Sequence, residues 1–185
     1  MKNAIIALLF LAYPVLVYFG LHYVKPSVLA ALFALLFIFR HFSQAKYQGK
    51  IPHLNVLLFT VLALLAYSAI ANSELALKFY PVVVSLSFLS IFAYSLVKPP
   101  SVVQIIASRQ EQLDDNGVKY TRKVTQVWCV YFIINALIAT WTIFHEDQTL
   151  WLMYNGLISY ILMALLMAVE FLIRKRIKRR NASKA

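Results

Sequence analysis

Glu170 is the one carboxylate set inside an apolar run. An acid carried into hydrocarbon is a functional candidate by default, as a proton relay or a general acid. Arg174 follows it by one helical turn on the same face and near the end of the run, so an ion pair at a membrane boundary accounts for it without catalysis. Asn135 lies in the middle of another apolar run, where its amide must find a partner out of reach of water. Thr121, Trp128, Asn135 and Thr142 recur every seven residues, the spacing of one helix face, and Tyr80, Ser87 and Tyr94 repeat likewise, as do Thr60 and Tyr67. Gly156, Met163 and Glu170 form a further stripe, with Asn155 and Ser159 beside it. Such seams join helices through small residues and interhelical hydrogen bonds. Turned toward a common centre, the same residues would line a polar cavity. Tyr94, Trp128, Asn135, Asn155 and Glu170 are the candidate intramembrane polar residues.

The motifs of soluble and metal-dependent catalysis do not occur. The chain has no His-x-x-x-x-Asp box, no paired-Asp pattern of a phosphatidyl-alcohol transferase, no Gly-rich phosphate loop and no His-Glu-x-x-His helix. His145, Glu146 and Asp147 are adjacent, and adjacent residues diverge around a turn instead of closing on one ion. His22, His41 and His53 fall near the ends of different runs, and Cys129, the single cysteine, cannot form an intramolecular disulfide. No metal site, cofactor or catalytic residue is assigned.

These residues are positioned by a chain that is 62% hydrophobic, 14% charged and of mean hydropathy +0.72 over 185 residues, a composition that cannot form one soluble core under a polar skin. The fold class is all-α, a polytopic membrane helix bundle. A crossing needs about 20 mostly apolar residues. Cutting at charges and prolines leaves six runs: Ala4 to Tyr23, Ser27 to Phe42, Leu54 to Ala71, Leu77 to Val97, Val124 to Phe144 and Leu150 to Ile173. Pro26, Pro52 and Pro81 stand near run starts, Pro99 and Pro100 follow a run end, and Pro14 alone falls within one, where it should kink or interrupt the helix. Lys2 ahead of an apolar stretch also fits a signal peptide, but no Ala-x-Ala-like site follows before Lys25, so the segment is read as retained. Residues 1–173 form a single transmembrane domain and residues 174–185 a basic tail.

The net charge of +11 belongs to the loops. With the N-terminus inside, sixteen of the eighteen Lys and Arg residues fall on the cytoplasmic side, leaving Lys25 and Lys78 outside. Six crossings with both termini cytoplasmic follow. No recognition helix or aromatic-basic platform accompanies the charge, so nucleic acid is not a partner. The loop over residues 98–123 is then cytoplasmic. "KPPSVVQIIASRQEQL" intersperses Val102, Val103, Ile105, Ile106 and Leu113 with polar residues, as a short helix lying in the interface would. Asp114 to Gly117 reads as a turn ending it, after which Lys119, Arg122 and Lys123 sit at headgroup level with Tyr120 and Trp128 as aromatic anchors. As a docking surface for a cytoplasmic partner or a lipid headgroup, this stretch would use Arg109, Glu111, Tyr120, Arg122 and Lys123.

The stretches "FLAYPVLVYFGLHYV", "NSELALKFYPVVVSLSFLSIFAYSLVKPP" and "VWCVYFIINALIA" to "LWLMYNG" resemble the intracellular septation protein A family of bacterial inner-membrane proteins. "SRQEQLDDNGVKYTRKVTQVWCVYFIINALIA" looks closer to a group of uncharacterised small bacterial inner-membrane proteins, often encoded beside fatty-acid-synthase-like genes. The resemblance implies an inner-membrane protein with no established catalytic residues, and the septation family's five spans put the status of the first run in question. Two functions stay open. One is a non-catalytic scaffold or lipid-handling partner in envelope or lipid biogenesis, acting with membrane lipids and cytoplasmic or membrane proteins. The other is a small transporter or membrane-embedded enzyme acting on a lipid or acyl substrate. A cavity uniting Asn135, Tyr94 and Glu170 would favour the second, and closely packed seams the first.

Overall fold

The computed structural model describes residues 13–43, 54–109, 112–145 and 147–182, and every regular element among them is helical. In chain order these are α1 (Tyr13–Tyr23), α2 (Pro26–Ser43), α3 (Leu54–Ala71), α4 (Glu74–Lys78), α5 (Tyr80–Val97), α6 (Val102–Ala107), α7 (Asp115–Phe144) and α8 (Gln148–Met153). A π-helical turn at Tyr154–Ile158 then leads directly into α9 (Ser159–Ala182). Three stretches are long and apolar enough to cross a membrane: Tyr80–Val97, Asp115–Phe144 and Gln148–Ile177, the last running from α8 through the π turn into α9. Shorter apolar stretches, Pro26–Ile38 and Val56–Ala71, occupy α2 and α3.

Helix starts follow local chemistry. Pro26 opens α2 and Pro81 stands in the first turn of α5, where a missing N–H costs nothing; Pro52 lies outside the described residues. Ser73, Ser101, Asp114 and Asp147 each cap a helix by accepting a backbone N–H in its first turn. The Asp114 cap corrects a sequence expectation. Asp114 to Gly117 does not form a turn that ends a preceding helix. Instead Asp114 Oδ1 accepts the Gly117 N–H at 2.8 Å and starts α7 there, nine residues before the apolar run at Val124. Asp115, Asn116 and Gly117 are poor helix formers and Lys119, Arg122 and Lys123 good ones, so the first turn depends on the Asp114 cap.

Three chain connections meet at one end of the bundle. The Ser27 N–H donates to Asn72 Oδ1 at 3.1 Å, joining the start of α2 to the α3–α4 turn, in which Asn72 takes a left-handed conformation (φ 48°) open to asparagine. Trp151 Nε1 donates to the Lys78 carbonyl at 3.2 Å, and Gln148 Nε2 to Glu74 Oε1 at 3.4 Å, joining α8 to α4. Beneath them lies the core, in which Tyr13 stacks on Tyr80 at 3.8 Å, packs on Phe33 and donates to the Leu77 carbonyl at 3.3 Å. The helix α1 is therefore seated at this connection end, with Pro14 and Val15 against Gly156. Its 11 residues extend about 16 Å, short of a crossing. The remainder of the first run, residues 4–12, lies outside the described residues.

Toward the opposite end α5 and α7 pack along their length. The seven-residue stripe of α7 is indeed its inward face: Thr121, Asn135 and Thr142 are buried, together with Thr125, Phe132 and Ala139 between them. Phe132 stacks on Phe88 at 5.5 Å and meets Phe92 edge-on at 5.2 Å. Thr60 and Ser87 hydroxyls, 2.8 Å apart, join α3 to α5. The short α6 hangs from α5 through the Val102 N–H, which donates to Ser95 Oγ at 3.1 Å.

Replacing Asp114 with Ala should lower stability by about 1 kcal/mol and fray α7 up to the bilayer surface, while Asp114→Ser should be nearly neutral. Unfolding temperature in detergent and hydrogen exchange at Gly117 and Val118 report this; unchanged protection in Asp114→Ala would contradict the cap.

Candidate functional site

The polar side chains of the spans converge near the connection end, where α5, α7 and the π turn come together. Asn135 is the centre. Its Nδ2 donates to Ser85 Oγ on α5 at 2.9 Å, and its Oδ1 accepts the Tyr154 hydroxyl from the π turn at 3.1 Å. The Ser85 hydroxyl in turn donates to the Pro81 carbonyl at 2.8 Å. About two turns farther along α7, Thr142 Oγ1 accepts Asn155 Nδ2 at 3.2 Å, and the same amide donates to the Trp151 carbonyl at 3.0 Å. Ser159 Oγ donates to the Asn155 carbonyl, and the Ser159 carbonyl accepts the Tyr131 hydroxyl at 2.8 Å.

Tyr154 and Asn155 are neighbours in the π turn. Successive residues of an α-helix point about 100° apart, and the wider π turn brings them closer in direction. In the wider turn both Tyr154 and Asn155 are buried, at 7% and 2% exposure. Each meets a different residue of the α7 stripe. Among the described residues Asn155 Oδ1 is the buried side-chain acceptor that stays unsatisfied, because Trp151 and Thr142 both claim the Nδ2 side.

This arrangement joins helices to one another. It consists of amides, hydroxyls and phenols, with no carboxylate or imidazole among its bonded partners. Among the described residues no group of three His, Cys, Asp or Glu is placed to hold a metal ion. Asp147 instead caps α8, accepting Thr149 N–H at 2.8 Å, and the His145 ring lies on Trp141, centroids 4.3 Å apart. Glu146 and His53 lie outside the described residues.

Of the candidate polar residues, Asn135 and Asn155 enter the network directly. Trp128 is half-buried in an aromatic group with Phe92, Tyr131 and Phe132. Tyr94 sits at the far end of α5, 41% exposed, with Lys98 Nζ 5.5 Å from its ring centre. Glu170 is also remote, a further eleven residues along α9 from Ser159. There Tyr120 of α7 reaches it, the hydroxyl 3.4 Å from the Glu170 carbonyl and 3.5 Å from Oε1. Asn135, Tyr94 and Glu170 thus occupy three separate places. The docking candidates divide too. Tyr120 faces α9, whereas Arg122, two residues on, points about 200° away around α7. Arg109, Arg122 and Lys123 are exposed, and Glu111 lies outside the described residues.

Sequence reasoning missed Ser85, Tyr131 and Tyr154. Ser85 lies off the Tyr80–Ser87–Tyr94 stripe, and Tyr154 turns inward within a π turn that no residue pattern announces. No protein family, curated protein or solved structure matches the chain.

Replacing Asn135 with Leu should cost on the order of 1 to 2 kcal/mol, since Tyr154 loses its acceptor in a dry setting. Tyr154→Phe should cost less, and the double variant should fall short of additivity by about 0.6 kcal/mol. Strict additivity of unfolding free energies in detergent would contradict the Asn135–Tyr154 bond.

Proposed function

We infer that this is a multi-pass bacterial inner-membrane protein that works without catalysis, as a scaffold or lipid-handling partner in envelope or lipid biogenesis. The observation that carries this reading is how its intramembrane polar groups are used: Asn135, Ser85, Tyr154, Thr142 and Asn155 are engaged with one another and with helix backbone. Tyr94 and Glu170 stand apart from them, so no common cavity gathers the groups that a transporter or membrane enzyme would need. The resemblance in the sequence to small inner-membrane proteins supports the envelope or lipid context.

The topology proposed is six crossings with both termini cytoplasmic and α6 lying in the cytoplasmic interface. Lys25 and Lys78 stand at the connection end, and the basic stretches from Lys98 and from Arg174 at the other, which supports a cytoplasmic assignment for the latter. The first crossing rests on charge placement alone, whereas the later ones rest on helix packing as well. Exposed Arg109 and Arg122 remain as contacts for a cytoplasmic protein.

Reporter fusions after Lys50, Asn116 and Lys184 should report cytoplasm, and fusions after Asn72 and Asp147 periplasm; an external C-terminus contradicts the topology. Asn135→Leu should complement a deletion strain when protein level is matched. Loss of complementation at normal level and topology would instead assign Asn135 a chemical role.

A further inference from the structure

The contact between Tyr120 and Glu170 brings together two basic stretches that lie fifty residues apart in the chain. It is one of two rungs between α7 and α9. The other is Tyr131 to the Ser159 carbonyl, and the rungs are eleven residues apart on both helices, so the pair is antiparallel and in strict register. Arg174 follows Glu170 by one turn on the rung-bearing face of α9 and lies near enough to Tyr120 to act on it electrostatically. On α7, Lys119 and Lys123 flank Tyr120, and neither makes an ion pair with a described residue. Lys119, Lys123 and Arg174 therefore stand within about one helical turn of this rung along their own helices, and the Glu170 carboxylate there faces the Tyr120 hydroxyl. The other acids of this region, Asp114 and Asp115, lie at least one turn farther out, with Asp114 engaged as the α7 cap, and Arg122, Lys175 and Arg176 add further positive charge.

The face that bears Lys119 and Lys123 continues upward as Val127, Val130 and Ile134, spaced four, three and four residues apart and exposed by 49, 54 and 50%. A single stripe thus carries two cations at its foot and branched apolar side chains above, the profile of a phospholipid lying along the helix. Lys119, Lys123 and Arg174 make the foot cationic, which selects an anionic headgroup over a zwitterionic one.

We propose that the foot of the α7–α9 seam, formed by Lys119, Lys123 and Arg174 around the Tyr120–Glu170 contact, seats one anionic phospholipid whose phosphate lies among these cations and whose acyl chain follows the α7 stripe. The proposal rests on the lipid-handling reading and gives it a ligand class and a place. Arg122 lies about 160° from Tyr120 around α7 but about 60° from Lys119, so it borders the seat on the side away from α9 and measures how far the seat extends.

The test is native mass spectrometry of the full-length protein, stripped of lipid in detergent and titrated with phosphatidylglycerol or phosphatidylcholine. Wild type should bind phosphatidylglycerol preferentially. The double variant Lys119→Gln/Lys123→Gln should weaken that binding by roughly twenty-five-fold, at about five-fold for each cation removed, while Arg122→Gln should stay within about two-fold. All of these side chains are exposed, and unchanged unfolding temperatures would confirm that the variants fold. Arg174→Gln should weaken binding without altering the preference of the remaining site for long-chain over short-chain phosphatidylglycerol. Equal losses in Arg122→Gln and in the lysine pair would overturn the seat while leaving the lipid-handling reading standing. Equal binding of the two lipids by wild type would count against that reading itself. Displacement by glycerol phosphate without acyl chains would overturn the part played by the stripe.

Discussion

A hydrogen-bonding side chain carried into hydrocarbon has no water to fall back on, so it must be satisfied by another part of the protein. Asn135 places a donor and an acceptor in the middle of the long helix α7, and its two needs are met from two directions, by Ser85 on α5 and by Tyr154 in the π turn. The geometry of the surrounding helices depends on that pair of bonds. Apolar contacts alone discriminate poorly between registers inside a membrane, since lipid tails are as apolar as leucine. An amide with two defined partners does discriminate, because a shift of one residue on either neighbouring helix leaves it unpaired.

At its π turn the last helix meets α7 twice. It presents Tyr154 and Asn155 on one side, and each meets a different residue of the seven-residue stripe, Asn135 and Thr142. Below it, α9 leaves the crowded part of the bundle and touches α7 through the two tyrosine rungs, its other faces largely exposed from Ile161 to Ile177. The upper bundle is closed by hydrogen bonds among three connections, and the lower bundle is open and cationic. That asymmetry matches a membrane protein packed at one face and presenting a charged surface at the other.

Much of this was legible in the sequence. The apolar runs gave the helical class, and the period of Thr121, Asn135 and Thr142 marked the inward face of α7, because burial in a helix follows its 3.6-residue turn. Asn135 stood out for the same reason that it matters, a lone amide far from charge. What escaped depends on partners distant in sequence. Ser85 looks like any serine of an apolar helix until Asn135 is opposite it, and the acceptor of the Tyr154 hydroxyl is nineteen residues away. Asp114 to Gly117 carries residues equally suited to a turn and to a helix cap, and only the direction of the Asp114–Gly117 bond decides between them.

The central claim is that buried polar contacts fix one register between α7 and the last helix. Thiol cross-linking in native membranes measures it directly, in a Cys129→Ser background with one cysteine on each helix. Val124→Cys lies four residues from the Tyr120 rung and Leu166→Cys four from Glu170, so this pair should cross-link efficiently with a short bifunctional reagent. Val124→Cys with Leu162→Cys or with Phe171→Cys should not. Adding Asn135→Leu should spread the cross-links over all three partners. Equal cross-linking of the three positions with Asn135 intact would contradict the account.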